Sequence, residues 1–255
     1  QLFSFVVDIF KKASGRKLNS IECHDIMCKI GDVVVVGGVR RSAMISLSDL
    51  SDERMRVCKS GEWWRSNPQR TLANNSAVYT DKPVMTSFMK EWLSLVESKS
   101  GERGIFARYA AQRHVERNSR RDPNHDFGTN PCSEIILRNN QFCNLTEVVV
   151  RSTDTFDDLF VKIRNATILG TIQSTFVNFP YLRKVWQKNT KEERLLGVSL
   201  TGIMDNSITS NPNPLTLKSL RDYAVEVNKK WSELLGIEQS TAITCIKPSG
   251  TVSQL

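Results

Sequence analysis

A chain of 255 residues, 40% apolar and 24% charged, is long enough for one large domain or two modest ones and too apolar for wholesale disorder. Its net charge of +8 suits a phosphate-bearing ligand, nucleic acid or an ordinary solvated surface. No apolar run approaches the ~18 residues of a membrane span. The six cysteines are irregularly spaced and no secretory signal precedes them, which points to thiols in a reducing, cytoplasmic compartment.

In chain order, residues 1–13 carry apolar side chains at helical spacing (Leu2, Phe3, Phe5, Val6, Ile9, Phe10). Ser20 is expected to cap a second helix running toward Ile30. Residues 33–36, four valines between glycines, read as a strand buried on both faces, and 43–47 as another. Residues 48–59 and 84–99 read as helices. The second has a stripe of Met85, Phe88, Met89, Trp92, Leu93 and Val96 that is expected to pack in the core. Residues 115–130 are polar and read as a loop. A strand at 147–150, a helix at 156–176, a short strand at 197–200 and an amphipathic helix at 215–235 follow. A last strand, 241–246, runs into Lys247-Pro248-Ser249-Gly250-Thr251. The alternation predicts an α/β fold with a largely parallel sheet or barrel. Residues 59–75 and 203–214 are candidate linkers, and neither reads as a domain boundary. The chain opens within an apolar helical stretch and stops after a loop-like segment, so it is expected to be a piece of a longer protein.

Chemistry concentrates at Thr129-Asn130-Pro131-Cys132-Ser133-Glu134, followed by Gln141-Phe142-Cys143-Asn144-Leu145. In an extended segment Asn130, Cys132 and Glu134 share one face, and Pro131 favours extended backbone before it. Ten residues separate the two cysteines with no paired histidine, which is not zinc spacing. His125 is near in sequence, but nothing marks it as the oriented base a hydrolytic cysteine needs. A pair of inert buried thiols is the plain alternative. Cys23, Cys28, Cys58 and Cys245 read as structural thiols. Trp63-Trp64-Arg65 reads as a packing corner or, for a nucleic-acid binder, a stacking platform.

These motifs, with Pro-Ser-Gly-Thr-Val-Ser at 248–253, resemble the catalytic subunit of ribonucleotide reductases, most closely the adenosylcobalamin-dependent (class II) enzymes. Gly37-Gly38-Val39-Arg40-Arg41-Ser42-Ala43, Asn74-Asn75-Ser76 and Leu196-Gly197-Val198-Ser199-Leu200-Thr201-Gly202 fit in the same order. The resemblance implies a ten-stranded α/β barrel with the catalytic cysteine on an internal finger loop, residues 1–255 being the central part of that single domain. It implies that Cys132 becomes a thiyl radical generated through adenosylcobalamin. Glu134 would act as general base on the 3′-hydroxyl, and Asn130 would hold the ribose. Cys143 would be one half of a reducing dithiol whose partner lies upstream. Ser249, Gly250, Thr251 and Ser253 would bind the substrate phosphate, with Lys247 adding charge nearby. Gly38, Arg40, Arg41 and Ser42 would form the allosteric specificity loop, read by a deoxynucleotide or ATP effector. A ribonucleotide, preferably a triphosphate, would be the substrate and a thioredoxin-like protein the reductant. The fold would bring the Cys132 and Cys143 sulfurs together with Glu134 beside them.

Two alternatives are the oxygen-dependent (class I) large subunit and a non-catalytic nucleotide- or nucleic-acid-binding module. The module would want Lys and Arg clustered with interleaved aromatics. The basic residues are scattered, apart from Arg117-Asn118-Ser119-Arg120-Arg121, and no specific nucleic-acid partner is expected.

Overall fold

The computed structural model describes residues 1–36, 39–40, 42–118 and 120–248, with 35–36, 39–40 and 118 described by their backbone. The chain divides into two compact units, Gln1–Ala111 and Gln112–Leu255. Neither candidate linker marks the division.

In the first unit, α1 (Leu2–Lys12) leads to α2 (Ser20–Asp32). The cap of α2 is Asn19, not Ser20. The Asn19 side chain accepts from the Glu22 amide at 2.9 Å, and the Glu22 carboxylate accepts from the Asn19 amide at 2.9 Å, so two otherwise orphaned donors are satisfied reciprocally. The buried four-valine strand does not form. The Val33 and Val34 amides donate back to Ile30 and Gly31, leaving Val33 59% and Val34 47% exposed. Only β1 (Val35–Val36) is extended, antiparallel to β2 (Val39–Arg40).

Next come β3 (Met44–Ser48), single turns α3 (Glu53–Arg56) and α4 (Trp63–Ser66), β4 (Ala73–Tyr79), α5 (Met85–Ser98) and β5 (Gly104–Ala107). The expected helix at 48–59 thus shrinks to one turn. Strands β3, β4 and β5 form a parallel sheet in that order, with Met44 opposite Ala73 and Ser76 opposite Gly104. Parallel neighbours need a crossover, and α5 supplies it between β4 and β5.

Helix α5 overturns the core reading of its apolar stripe. Met85, Met89, Trp92, Leu93 and Val96 are exposed, and the buried residue is Glu91. Its carboxylate accepts from Arg56 Nε at 2.6 Å and from Arg103 Nε and Nη2 at 2.9 and 2.8 Å. Arg103 also donates to Ser48 Oγ and Asp49 O, both at 2.8 Å. A second buried polar network joins α2 to β4. Arg70 grips Asp25 through two bonds of 2.6 and 2.7 Å, Asn75 Nδ2 donates to Cys58 Sγ at 3.0 Å, and His24 Nε2 meets Asn75 Oδ1 at 3.1 Å.

Helix α6 (Arg108–Asn118) carries the chain onward, occupying the start of the stretch expected to be loop. The second unit then has β6 (Gly128–Thr129), β7 (Ile136–Leu137), β8 (Asn144–Val149), α7 (Phe156–Gln173), α8 (Lys184–Glu193), β9 (Leu196–Thr201), the short α9 (Ser207–Ser210) and α10 (Pro214–Leu235). Strands β8 and β9 run parallel from the Asn144–Leu196 pair to Val149–Thr201. The strand expected at 241–246 does not form as a regular strand: the segment runs along β9 with a single bridge at Thr244–Val198 and Cys245 N donating to Val198 O at 3.1 Å.

Val148, Leu196, Val198 and Ile243 pack from this sheet against Leu159, Ile163 and Ala166 of α7 and Leu220 and Ala224 of α10. Fully buried Asn228 of α10 donates to Thr171 Oγ1 at 2.9 Å and Ser240 Oγ at 3.1 Å, pinning both helices to the segment that leads to 241–246. Among the described residues the architecture is mixed α/β, with one three-stranded and three two-stranded sheets. None of the described helices is long and apolar enough to cross a membrane.

Candidate functional site

Strands β6 and β7 are the two legs of a hairpin, Gly128 opposite Leu137 and Thr129 opposite Ile136. Residues 130–135 form its tip. The segment is a tight turn, not the extended run that would set Asn130, Cys132 and Glu134 on one face. The Ser133 amide donates to Asn130 O at 2.9 Å, with Ser133 at φ +67°, and Asn130 N donates to Ile135 O at 3.3 Å. The Asn130 side chain closes the turn, its Oδ1 accepting from the Ile135 amide at 3.0 Å. Side chains of this type bond neighbouring backbone readily, and here that bond makes Asn130 a brace for the loop.

The turn sends its two reactive groups into different surroundings. Cys132 is exposed. Glu134 is half-buried, and both of its carboxylate oxygens are shut off from water without a hydrogen-bond partner among the described residues. Such burial costs free energy unless a ligand supplies donors.

Cys143 lies one residue before β8. Burial pushes its thiol up to about 11, and the Glu134 charge adds to the rise. Lys247 acts on the same thiol in the opposite sense. The fold therefore brings Glu134 to Cys143, while Cys132 stays on the open side of the hairpin tip.

The hairpin is anchored from behind. Arg121 pairs with Glu193 at 2.7 Å and donates to Ile136 O at 3.0 Å, and Arg138 reaches Glu192 at 2.8 Å. Beside Cys143, Phe142 packs on Phe179 and Trp186, ring centroids 4.8 Å away in each case. His125 contacts Arg138 and Asp122 and, among the described residues, bonds to no thiol.

Cys245, read from the sequence as a structural thiol, belongs to this neighbourhood. Burial pushes it up to about 12, followed by the charges of Glu134 and Cys143. Room for it comes from Gly197. A Cβ there would run into Leu145 and come within 3.0 Å of both Cys245 Sγ and Ile135 Cδ1. Two residues on, the Lys247 amide donates to Ser199 Oγ at 2.9 Å. A cavity of about 680 Å³ is lined by Glu134, Ile135 and Cys245 at one part of its wall.

Of the other sequence assignments, Ser249, Gly250, Thr251, Ser253, Gly38 and Arg41 lie outside the described residues. The Arg40 backbone pairs with Val35. Ser42 Oγ donates to Gly31 O at 2.6 Å, tying the segment after the valine hairpin to the last turn of α2. Exposed Cys23 is no core thiol, whereas Cys28 and Cys58 are buried.

No family model matches the chain. An adenosylcobalamin-dependent ribonucleoside-triphosphate reductase of Lacticaseibacillus paracasei is 30% identical over 297 aligned residues, covering 100% of this chain and 37% of that protein. A probable enzyme of the same name from Dictyostelium discoideum is 28% identical, covering 97% of this chain and 32% of its own length. A crystal structure of a B12-dependent (class II) ribonucleotide reductase superposes with a TM-score of 0.72 at 20% identity, over 99% of this chain and 38% of that one. The chain thus spans a little over a third of the length of the curated relatives it matches. Along its whole length the sequence is similar to part of these adenosylcobalamin-dependent ribonucleoside-triphosphate reductases, and it shares the fold of the corresponding part of the class II enzyme.

Proposed function

We propose that the chain carries the thiol-bearing part of a ribonucleotide reductase that converts ribonucleoside triphosphates to deoxyribonucleotides. Its residues would form the central part of one catalytic domain, a ten-stranded α/β barrel. The observation that carries this reading is the hairpin tip, with an exposed thiol at Cys132 and, two residues on, the carboxylate of Glu134, without a hydrogen-bond partner among the described residues, beside the half-buried thiol of Cys143.

Reduction at the ribose consumes two thiol hydrogens and releases water and a disulfide. Cys132 takes the 3′ hydrogen and later returns it. Glu134 accepts the 3′-hydroxyl proton, which gives its buried oxygens the donor they lack. Cys143 supplies one of the two reducing hydrogens. At about 11 its thiol keeps that hydrogen at neutral pH. Asn130 holds the turn in shape and so fixes the spacing of Cys132 and Glu134.

The relatives are named for adenosylcobalamin. The exposed position of Cys132 fits a group that must reach its sulfur from outside the hairpin. When bound, that cofactor supplies the radical that activates Cys132. The phosphate role of Ser249, Gly250, Thr251 and Ser253, and the effector role of Gly38, Arg40, Arg41 and Ser42, rest on the motif resemblance. So do the deoxynucleotide or ATP effector and the thioredoxin-like reductant.

The test is reduction of a ribonucleoside triphosphate with adenosylcobalamin and a dithiol, in a protein that joins this chain to the remaining length its relatives have. Cys132→Ser is expected to abolish product entirely. Retained activity in that variant would sink the mechanism.

A further inference from the structure

The arginine run after α6 is left unused by this chemistry. Arg121 is committed to Glu193 and Ile136. Arg120 is not. It forms no hydrogen bond or ion pair with the described residues, and it lines the 680 Å³ cavity together with Arg221 of α10. Among the described residues Arg221 is held by its chain neighbour Asp222 alone, at 2.7 Å, and both partners are more than half exposed. Such a surface pair is worth little.

The two guanidiniums repel each other. Arg120 is an exposed residue, and partial desolvation of its guanidinium, followed by the Arg221 charge, holds it below its ordinary value. Like charges beside an apolar wall of Leu217, Leu220 and Ile243 are unfavourable unless an anion lies between them, and a planar guanidinium binds phosphate through two parallel bonds. Elsewhere the same cavity is lined by Glu134, whose two oxygens lack donors.

A ligand that satisfies both sets of groups is anionic at one end and carries hydroxyl or amine donors at the other. A fatty acid fails the second requirement. A hydroxylated organic phosphate meets both, and 680 Å³ is ample for a nucleotide. We propose that Arg120 and Arg221 bind the terminal phosphates of a nucleoside polyphosphate whose sugar hydroxyls face Glu134. The proposal rests on the substrate class given above and adds a cationic contact distinct from the loop at 248–253.

Calorimetric titration of the 255-residue chain with one nucleoside and its mono-, di- and triphosphate tests this. Affinity should rise with each phosphate. Arg120→Gln with Arg221→Gln should weaken triphosphate binding at least tenfold and leave the bare nucleoside unaffected, while Lys at both positions restores part of the loss. Glu134→Gln should weaken all four ligands by a similar factor. A double Gln variant that melts like the parent and binds triphosphate equally well overturns the proposal, as does a chain that binds none of the four. The outcomes separate from the reductase reading. If the arginine dependence holds while Cys132→Ser retains reduction, the mechanism falls and the phosphate contact stands.

Discussion

At the scale of single residues, environment decides which thiols can react. Burial raises Cys143 to about 11 and Cys245 to about 12, and the thiolate is the nucleophile. Iodoacetamide at pH 8 should therefore label exposed Cys132 and Cys23 first and Cys143 and Cys245 last, as read by peptide mass spectrometry. Labelling of Cys143 as fast as Cys132 would contradict its half-buried placement. The Asn-x-Cys-x-Glu pattern suggested a geometry that the fold does not have. An alternating face was expected, but the Asn130 amide reached the Ile135 backbone and folded the segment into a turn. The role of Cys245 was illegible because it depends on Gly197 being bare on the neighbouring strand, a relation that only the register of β9 reveals.

At the scale of elements, the parallel pair β8–β9 and the long helices α7 and α10 were readable, and in the helices periodicity and caps agree, as with Thr155 and Asp158 at the start of α7 and Gly236 at the end of α10, whereas β4 and β5 carried no strand reading in the sequence. Helix α5 misled because its apolar stripe is real while its buried anchor is polar. Glu91 is only 4% exposed. Burial works against its charge, but bonds from Arg103 and Arg56 hold its carboxyl below the usual range. Glu91→Ala, which strands two buried arginines, should cost about 3–5 kcal/mol in chemical denaturation, whereas Lys90→Ala on the exposed face should be nearly neutral.

Gly197→Ala tests packing beneath the hairpin. The added methyl meets Leu145, Cys245 and Ile135 and should lower stability by about 1–3 kcal/mol, with faster alkylation of Cys245. An unchanged melting curve would mean the three side chains yield freely.

At the scale of the whole molecule, these groups bracket stability by pH. Asp25 and Glu91 titrate lower folded than unfolded, so their contribution is full above the ordinary carboxylate range of about 4 and is lost as pH falls through the folded values. The raised thiols act in the opposite direction. Cys28 and Cys245 at about 12, with Cys58 and Cys143 at about 11, contribute fully below the ordinary thiol range. That contribution disappears as pH rises through the folded values. Thermal melts should show a plateau at neutral pH, an acid decline below about 4 and an alkaline decline beginning near 9. Replacing Cys28 and Cys58 with Ala should soften the alkaline limb.

The outward stripe of α5 also makes the molecule its own optical probe. Trp92 is 51% exposed and stacks on Phe88 with ring centroids 6.1 Å apart. An indole in that position emits toward the red and is open to quenching by iodide. Any polypeptide that settles on this face would shift the emission to the blue and protect it from the quencher. A Trp92→Phe control would isolate its signal from the other four tryptophans, so covering of the stripe could be followed in real time without an attached label.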